Sequence, residues 1–335
     1  MREKILEVKQ LTTQFRVGQH RFNAVDGVSF DLYRGQTLGL VGESGSGKST
    51  VALSLMQLIP PMTGSIVEGS ILLEGNDLMK MSKSAMQGVR GNRISMIFQE
   101  PMTSLNPVFT VGNQVEETLR LHQALTHKQS YEKAVELLQL VGIPAPEKRV
   151  HAYPHQLSGG MKQRVMIAMA LACQPSVLIA DEPTTALDVT IQAQILDLMA
   201  TLQREMNMGI ILITHDLSVV AKVCDEVAVM YCGKIVEHAS VDQIFDHPAH
   251  PYTRGLIESI PSLQSVGTNP KKRLKTIAGS VPSPQNLPSG CNFQERCQYA
   301  DAACTGRYGE PALRAVDSRH KAACFHPLHS SANTP

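Results

Sequence analysis

The sequence predicts an α/β protein: a mainly parallel sheet with helices on its faces, accompanied by a smaller antiparallel β portion and a helical portion. Three observations carry this. Apolar runs at residues 37–41, 177–180 and 210–214 are continuous rather than alternating, as in strands buried on both faces. Helical stretches separate them, and strands alternating with helices build parallel sheets. At the start, residues 5–8, 14–17 and 28–32 alternate polar and apolar side chains, the pattern of antiparallel strands with one wet face.

The elements follow in order. After the turn at Arg34-Gly35, strand 37–41 runs into the Gly- and Ser-rich residues 42–49, which open a helix through residues 51–56. Strands are expected at 71–73 and at 94–98, the second ending in Gln99. Residues 111–142 carry apolar positions at helical spacing (Val135, Leu138, Val141), and Pro144 and Pro146 stop the pattern. A second long helix is expected over 158–173, then a turn at Pro175, strand 177–180, a helix over about 190–206, strand 210–214 and a helix after Asp216. Beyond Pro261, Pro, Gly, Ser and Asn rise and apolar periodicity disappears. The expected division is therefore a domain at 1–260, with a helical subdomain at about 100–172, and an extension at 261–335.

Bulk properties narrow the class. The 335 residues are 43% hydrophobic, enough for a substantial core. Lys and Arg number 31 against 30 Asp and Glu, so the clustered basic excess of a nucleic-acid binder is missing. The basic run Lys271-Lys272-Arg273-Leu274-Lys275, near Gly267 and Pro270, reads as a solvated linker. The N-terminus lacks the apolar core of a secretory signal. The longest apolar stretch, residues 165–173, is far shorter than the roughly 20 residues that span a bilayer. A cytosolic or peripheral protein is expected. Of seven cysteines, Cys173, Cys224 and Cys232 lie in apolar surroundings and read as ordinary core or near-surface residues. The other four crowd into the last 45 residues.

Gly42-Glu43-Ser44-Gly45-Ser46-Gly47-Lys48-Ser49 fits G-x-x-x-x-G-K-[ST] between a predicted strand and a predicted helix. A triphosphate must be approached closely by backbone N–H groups, which calls for residues without bulky side chains. The helix N-terminus adds partial positive charge, Lys48 reaches the β- and γ-phosphates, and Ser49 supplies a Mg²⁺ ligand. Gly42, Ser44, Gly45, Gly47 and Thr50 complete the ATP-binding set. Asp181 and Glu182 end the apolar strand 177–180. Asp181 is placed to hold Mg²⁺ through water, and Glu182 to polarise the attacking water as general base.

Leu157-Ser158-Gly159-Gly160-Met161-Lys162-Gln163-Arg164 resembles the signature sequence of ABC ATPases. The order Walker A, glutamine, signature, Walker B, histidine is also theirs, and the resemblance covers about residues 5–250. Ser158 followed by two glycines opens a helix and makes a second anion-binding N-terminus with a hydroxyl donor. In the family that helix end caps the γ-phosphate of ATP held by the opposite subunit, so the resemblance implies a composite site. It implies nucleotide contacts for Ser158, Gly159, Gly160 and Gln163. Gln99 matches the glutamine that senses Mg²⁺ and attacking water and leads into the membrane-subunit contact. His215 matches the histidine at the γ-phosphate, and Asp188, in Ala186-Leu187-Asp188, the loop that communicates across the dimer. Phe15 is expected to stack on adenine, with Phe22 as the alternative.

The narrower resemblance is to the peptide/nickel importer subfamily. It is carried by residues 99–107, by residues 181–190, and by His250-Pro251-Tyr252-Thr253-Arg254-Gly255-Leu256. Glu100 stands where Asp is more usual, which keeps the charge. The resemblance implies import of di- or oligopeptides, with nickel or glutathione as alternative cargo. It also implies a second and different ABC ATPase subunit, two transmembrane permease subunits, an extracytoplasmic binding protein, and a place at the cytoplasmic face of the plasma (inner) membrane. A soluble ABC ATPase acting on ribosomes or DNA is the rival reading; the second cassette or long coiled-coil insertion usual there is not visible. Cys291-x5-Cys297-x6-Cys304-x19-Cys324 admits three readings: a [4Fe–4S] cluster, zinc, or unligated thiols. Zinc sites favour short C-x₂₋₄-C pairs. Similar importer ATPases carry a cysteine-bearing extension with this layout, and some hold the cluster, which is the expected occupant.

Overall fold

The structure, a computed structural model, describes residues 2–99, 104–185, 187–260 and 276–328. Residues 100–103, Ala186 and the basic run at 271–275 lie outside the described residues.

The chain forms two compact units. One comprises residues 2–7, Asp31–Gln36 and Leu72–Ile213; the other comprises Val8–Phe30, Thr37–Ile71 and the chain from Thr214 onward. The sequence's expectation of short separate strands at the start is corrected. Two 14-residue strands, β1 (Lys4–Val17) and β2 (His20–Tyr33), form one hairpin around Gly18-Gln19. Gly18 supplies the positive φ of +61° that the turn needs. Val8, Leu11, Val25 and Val28 bury the hairpin's inner face. The strand expected at 71–73 begins earlier, as β4 (Gly64–Leu73), and pairs antiparallel with the two-residue β5 (Asn76–Asp77).

In the second unit, the buried strand β3 (Thr37–Val41) lies parallel to β9 (Glu226–Tyr231), with Leu38 opposite Glu226 and Val41 opposite Val229. Strand β10 (Lys234–Ser240) runs antiparallel to β9, with an irregularity between Ile235 and Glu237. Two short strands of the C-terminal extension, β11 (Arg314–Ala315) and β12 (Lys321–Ala322), extend this sheet, β12 pairing with β10 through Glu237 opposite Ala322. Glu237 is fully buried. Its Oε1 accepts from Ala249 N–H and His320 Nε2 at 2.6 Å each, and its Oε2 from His250 N–H at 2.8 Å. Without those partners the buried carboxylate would be strongly unfavourable.

In the first unit, β6 (Ile94–Ile97), β7 (Val177–Asp181) and β8 (Gly209–Thr214) lie parallel and in register, Ile94 opposite Val177 and Val177 opposite Gly209. All residues of β7 and β8 are buried, which accounts for the apolar runs that precede the terminal Asp181 and Thr214. A helical portion follows β6. The single helix expected over 111–142 is two, Val111–Gln123 and His127–Leu140. Ala124 turns left-handed at φ 49°, and Thr126 starts the second helix with a capping box to Gln129. That local capping outweighs the continuous periodicity. Residues Gly159–Leu171 and Val189–Met206 form the next two long helices. Among the described residues no helix is long and apolar enough to cross a membrane.

Candidate functional site

The Gly-rich loop leaves β3 and enters the helix Lys48–Leu55. Two glycines are there for space as well as conformation. A Cβ on Gly42 would sit 2.3 Å from the Met230 carbonyl oxygen, and one on Gly47, whose φ is +103°, 2.4 Å from that of Ala24. The Lys48 ammonium curls over the loop, donating to the carbonyls of Gly42 at 2.7 Å and Glu43 at 2.9 Å and reaching Ser46 Oγ at 3.3 Å. Ser44, Gly45 and Ser49 are exposed and Thr50 is half-buried. The loop thus presents its open side and the helix N-terminus to solvent, the arrangement that receives phosphate.

His215 of the same unit is exposed, directly ahead of the helix Leu217–Val223 that Asp216 caps. Both adenine candidates lie on the β1–β2 hairpin. Phe15 and Phe22 stack with ring centres 6.3 Å apart, so the hairpin offers them as one aromatic pair.

In the first unit, Asp181 closes β7, almost fully buried, and Glu182 follows in the left-handed region at φ 47°. The Glu182 N–H donates to the Ile213 carbonyl at 2.9 Å, which fixes the backbone. Its Oε2 accepts from Gln99 Nε2 and from Thr185 Oγ1, both at 2.9 Å. The structure therefore joins the end of β6 to the acidic pair directly. Thr185 escaped sequence reasoning, although it follows Glu182 by only three residues.

Ser158 caps the helix Gly159–Leu171 by accepting from Met161 N–H at 3.4 Å, and Ser158 and Gly159 are exposed. Gly160 lies under Ile191, whose Cγ2 would be 2.9 Å from an added Cβ. Asp188 caps the helix Val189–Met206 through Ile191 N–H at 2.9 Å, and Val189 beside it is 83% exposed. Gln163, grouped with these from sequence, is instead fully buried, and neither amide atom has a hydrogen-bond partner among the described residues.

The four C-terminal cysteines line one small pocket with His250 and Phe293. Burial pushes the Cys291 and Cys297 thiols above their ordinary range and Cys324 up to about 12, each raised further by its cysteine neighbours. Four mutually close thiols in an apolar pocket make a donor set for a soft, positively charged group, which would reverse that preference for the protonated form. A tetrahedral zinc with bonds of about 2.3 Å holds its thiolates about 3.8 Å apart. Among the described residues, the group of ligand atoms within 4.8 Å of one another is Asp301, Cys304 and His326, with one of the four cysteines.

Sequence reasoning also missed the polar anchors around the loop. Tyr252 Oη accepts from Glu43 N–H at 2.8 Å, and Arg296 forks onto the Glu43 carboxylate. The subfamily segment around Tyr252 was visible, but the role of its hydroxyl was not.

Comparison with known proteins agrees with this layout. An ABC transporter family model matches residues 25–185, and a model of the oligopeptide/dipeptide transporter C-terminal region matches residues 236–304. The chain is 51% identical to the oligopeptide transport ATP-binding protein AppD of Bacillus subtilis, over 96% of each chain. It is 49% identical to the dipeptide transport ATP-binding protein DppD of the same organism, over 96% of this chain and 95% of that one. Among solved structures, the ATP-binding cassette MJ0796, a dimer in a post-hydrolysis state with ADP and Pi, superposes with a TM-score of 0.63 at 26% identity, covering 71% of this chain and 99% of that one. The chain belongs to the ABC transporter family, as an ATP-binding, ATP-hydrolysing subunit of its oligopeptide/dipeptide branch.

Proposed function

We propose that this chain couples ATP-driven closure of a pair of ATP-binding subunits to uptake of di- or oligopeptides through separate transmembrane subunits. The carrying observation is 51% identity along 96% of both chains to an oligopeptide transport ATP-binding protein, extension included. The division into a catalytic domain at 1–260, with its helical subdomain at about 100–172, and an extension at 261–335 belongs to the same reading. The helices Val111–Gln123, His127–Leu140 and Gly159–Leu171 support the helical subdomain.

The residues take these roles. Backbone N–H groups of Gly42, Ser44, Gly45, Gly47, Lys48, Ser49 and Thr50 and the Lys48 ammonium bind the phosphates, and the Phe15–Phe22 pair receives the adenine. Ser49, Gln99 and Asp181 hold Mg²⁺, which when bound neutralises charge on the phosphates. Glu182 takes a proton from the attacking water, with Gln99 and Thr185 fixing the accepting oxygen. His215 steadies the γ-phosphate. Ser158 and Gly159, both exposed, open with Gly160 a helix N-terminus that faces away from the chain's own core. It fits the γ-phosphate held by a second ATP-binding subunit, and Asp188 with the exposed Val189 fits the same interface. That second subunit is a different chain, and the assembly sits at the cytoplasmic face of the inner membrane with two permease subunits and an extracytoplasmic binding protein.

Cys291, Cys297, Cys304 and Cys324 hold a [4Fe–4S] cluster, zinc being the alternative. The cluster when bound supplies structural cross-linking of loops that have little apolar core of their own.

Reconstitution of this chain with its permease and ATPase partners in vesicles, supplied with a peptide-loaded binding protein, tests the assignment by MgATP-dependent uptake of a labelled peptide. Uptake of nickel chelates or glutathione without peptides would reassign the cargo, and cosedimentation with ribosomes in place of membrane proteins would remove the transporter role. Anaerobically purified protein should contain iron and absorb broadly at the blue end of the visible range. Stoichiometric zinc without iron would overturn the cluster.

A further inference from the structure

Glu43, the second residue of the phosphate loop, is held at every polar group the main chain and side chain offer. Its N–H donates to Tyr252 Oη at 2.8 Å, and its carbonyl accepts from Lys48 Nζ at 2.9 Å and from Ser46 N–H at 3.2 Å. Its carboxylate receives the fork of Arg296, Nη1 to Oε2 at 2.7 Å and Nη2 to Oε1 at 3.0 Å. The Arg296 side chain is only 4% exposed. Its Nε donates to the Ala278 carbonyl at 3.0 Å, and Nη1 reaches Tyr231 Oη at 3.4 Å. The guanidinium carbon lies 5.8 Å from the ring centres of both Tyr231 and Phe293.

A part-buried ion pair of this kind, with the Glu43 side chain 31% exposed, is a poor way to gain stability, since apolar residues of similar size often serve as well. A planar, two-point clamp does something apolar contacts do not: it fixes a carboxylate in both position and orientation. Here the fixed carboxylate belongs to a loop whose Gly42, Gly45 and Gly47 leave its backbone intrinsically loose. The clamp comes from the loop between Cys291 and Cys297, in the extension, and Phe293 of that loop packs on Tyr231 and Tyr252 at ring-centre distances of 5.3 and 5.4 Å.

We propose that Arg296 is a positioning residue for the ATP site: through Glu43, the cysteine-bearing extension holds the phosphate loop in its binding shape. The inference rests on the reading of residues 42–49 as the phosphate cradle. A loop ordered in advance spends less of its binding energy on ordering itself. Loss of the clamp therefore weakens nucleotide binding, while the water-activating group at Glu182 keeps its own support.

The test uses the full chain with Mg²⁺ and a non-hydrolysable ATP analogue, measured by equilibrium binding and followed by steady-state hydrolysis in the assembled complex. Arg296→Gln should weaken binding about tenfold, the scale of one charge-assisted hydrogen bond. KM should rise with kcat nearly unchanged. Glu43→Gln should do the same, Arg296→Lys should recover part of the loss, and the double variant should be no worse than the poorer single one. Glu43→Gln keeps Arg296 and its aromatic neighbours, so it reads the clamp even if Arg296→Gln folds poorly. Binding within twofold of the parent in both single variants, additive losses, or a fall in kcat at constant KM overturns the positioning role. Lys48→Ala separates the two readings: if it binds nucleotide normally, the cradle itself is misassigned.

Discussion

Replacing Glu182 by Gln separates chemistry from binding. One carboxylate oxygen already serves two donors, Gln99 Nε2 and Thr185 Oγ1, each at 2.9 Å. A glutamine amide oxygen can occupy that position and accept both. The backbone, held in the left-handed region by the Ile213 carbonyl, is not asked to change. What disappears is the negative charge able to take a proton. General-base catalysis contributes about 10²–10⁴-fold, or about 3–5 kcal/mol of barrier at 1.36 kcal/mol per tenfold. Phosphate release at saturating MgATP should fall by that factor. Nucleotide affinity should stay within about threefold, and the ATP-bound subunit pair should persist in a sedimentation experiment. Glu182→Gly supplies the matching control. It relieves a left-handed residue that costs roughly 1–2 kcal/mol, so it should lose hydrolysis without losing stability. Retention of more than about a tenth of the parent rate by Glu182→Gln would falsify the assignment of Glu182 as the base.

Three further expectations follow from local geometry. Gly47→Ala places a Cβ 2.4 Å from the Ala24 carbonyl and in a positive-φ backbone, so it should abolish nucleotide binding and cost about 1–3 kcal/mol in urea denaturation; a variant that binds normally contradicts the crowding. His250 is fully buried, and burial lowers its pKa from 6.5 to about 4, only partly opposed by Glu237 and a backbone contact to Ala323. The ring is neutral in both states above pH 6.5. Below it the unfolded chain takes up a proton first, so about 3 kcal/mol of stability should be lost between pH 6.5 and 4; a His250→Gln variant with the same pH slope counts against this source. Gln163→Leu removes a buried amide that has no partner among the described residues and should stabilise the chain by about 1–2 kcal/mol. If it lowers the urea midpoint, the amide has a partner.

What could be read from the sequence was local, and what escaped was assembled over distance. Strands β3, β7 and β8 declare themselves because both faces are buried and nearly every position is therefore apolar, the exceptions being the terminal Thr37, Asp181 and Thr214. The phosphate loop and the signature helix are equally legible, since glycines and caps act within a few residues. The break at Ala124–Thr126 was missed because a capping box competes with periodicity over the same short stretch. The hairpin β1–β2 was read as fragments because its polar face interrupts the apolar signal. Gln99 was found through its place in a motif, but its bond to Glu182, 83 residues on, has no local trace. The Arg296–Glu43 pair spans 253 residues and looks, in sequence, like two unrelated surface charges.

The same distance effect makes the extension look more separable than its contacts allow. Residues 276–328 have little apolar periodicity, yet His320 is 3% exposed and its Nε2 lies 2.6 Å from Glu237, a carboxylate with no exposed surface. Glu237 also receives the N–H groups of Ala249 and His250, which start the helix carrying Tyr252. One buried carboxylate therefore links the extension, strand β10 and the segment whose Tyr252 hydroxyl meets the phosphate loop. Substituting His320 by Ala leaves Glu237 short of one partner in a dry site, a loss of about 1–3 kcal/mol, whereas His320→Gln keeps a donor and should cost less. The ordering of the three proteins in urea denaturation, parent above Gln above Ala, tests whether the extension is part of the folded core. Identical midpoints for all three would show that it is a tethered appendage, and nucleotide affinity would then have no reason to depend on Arg296.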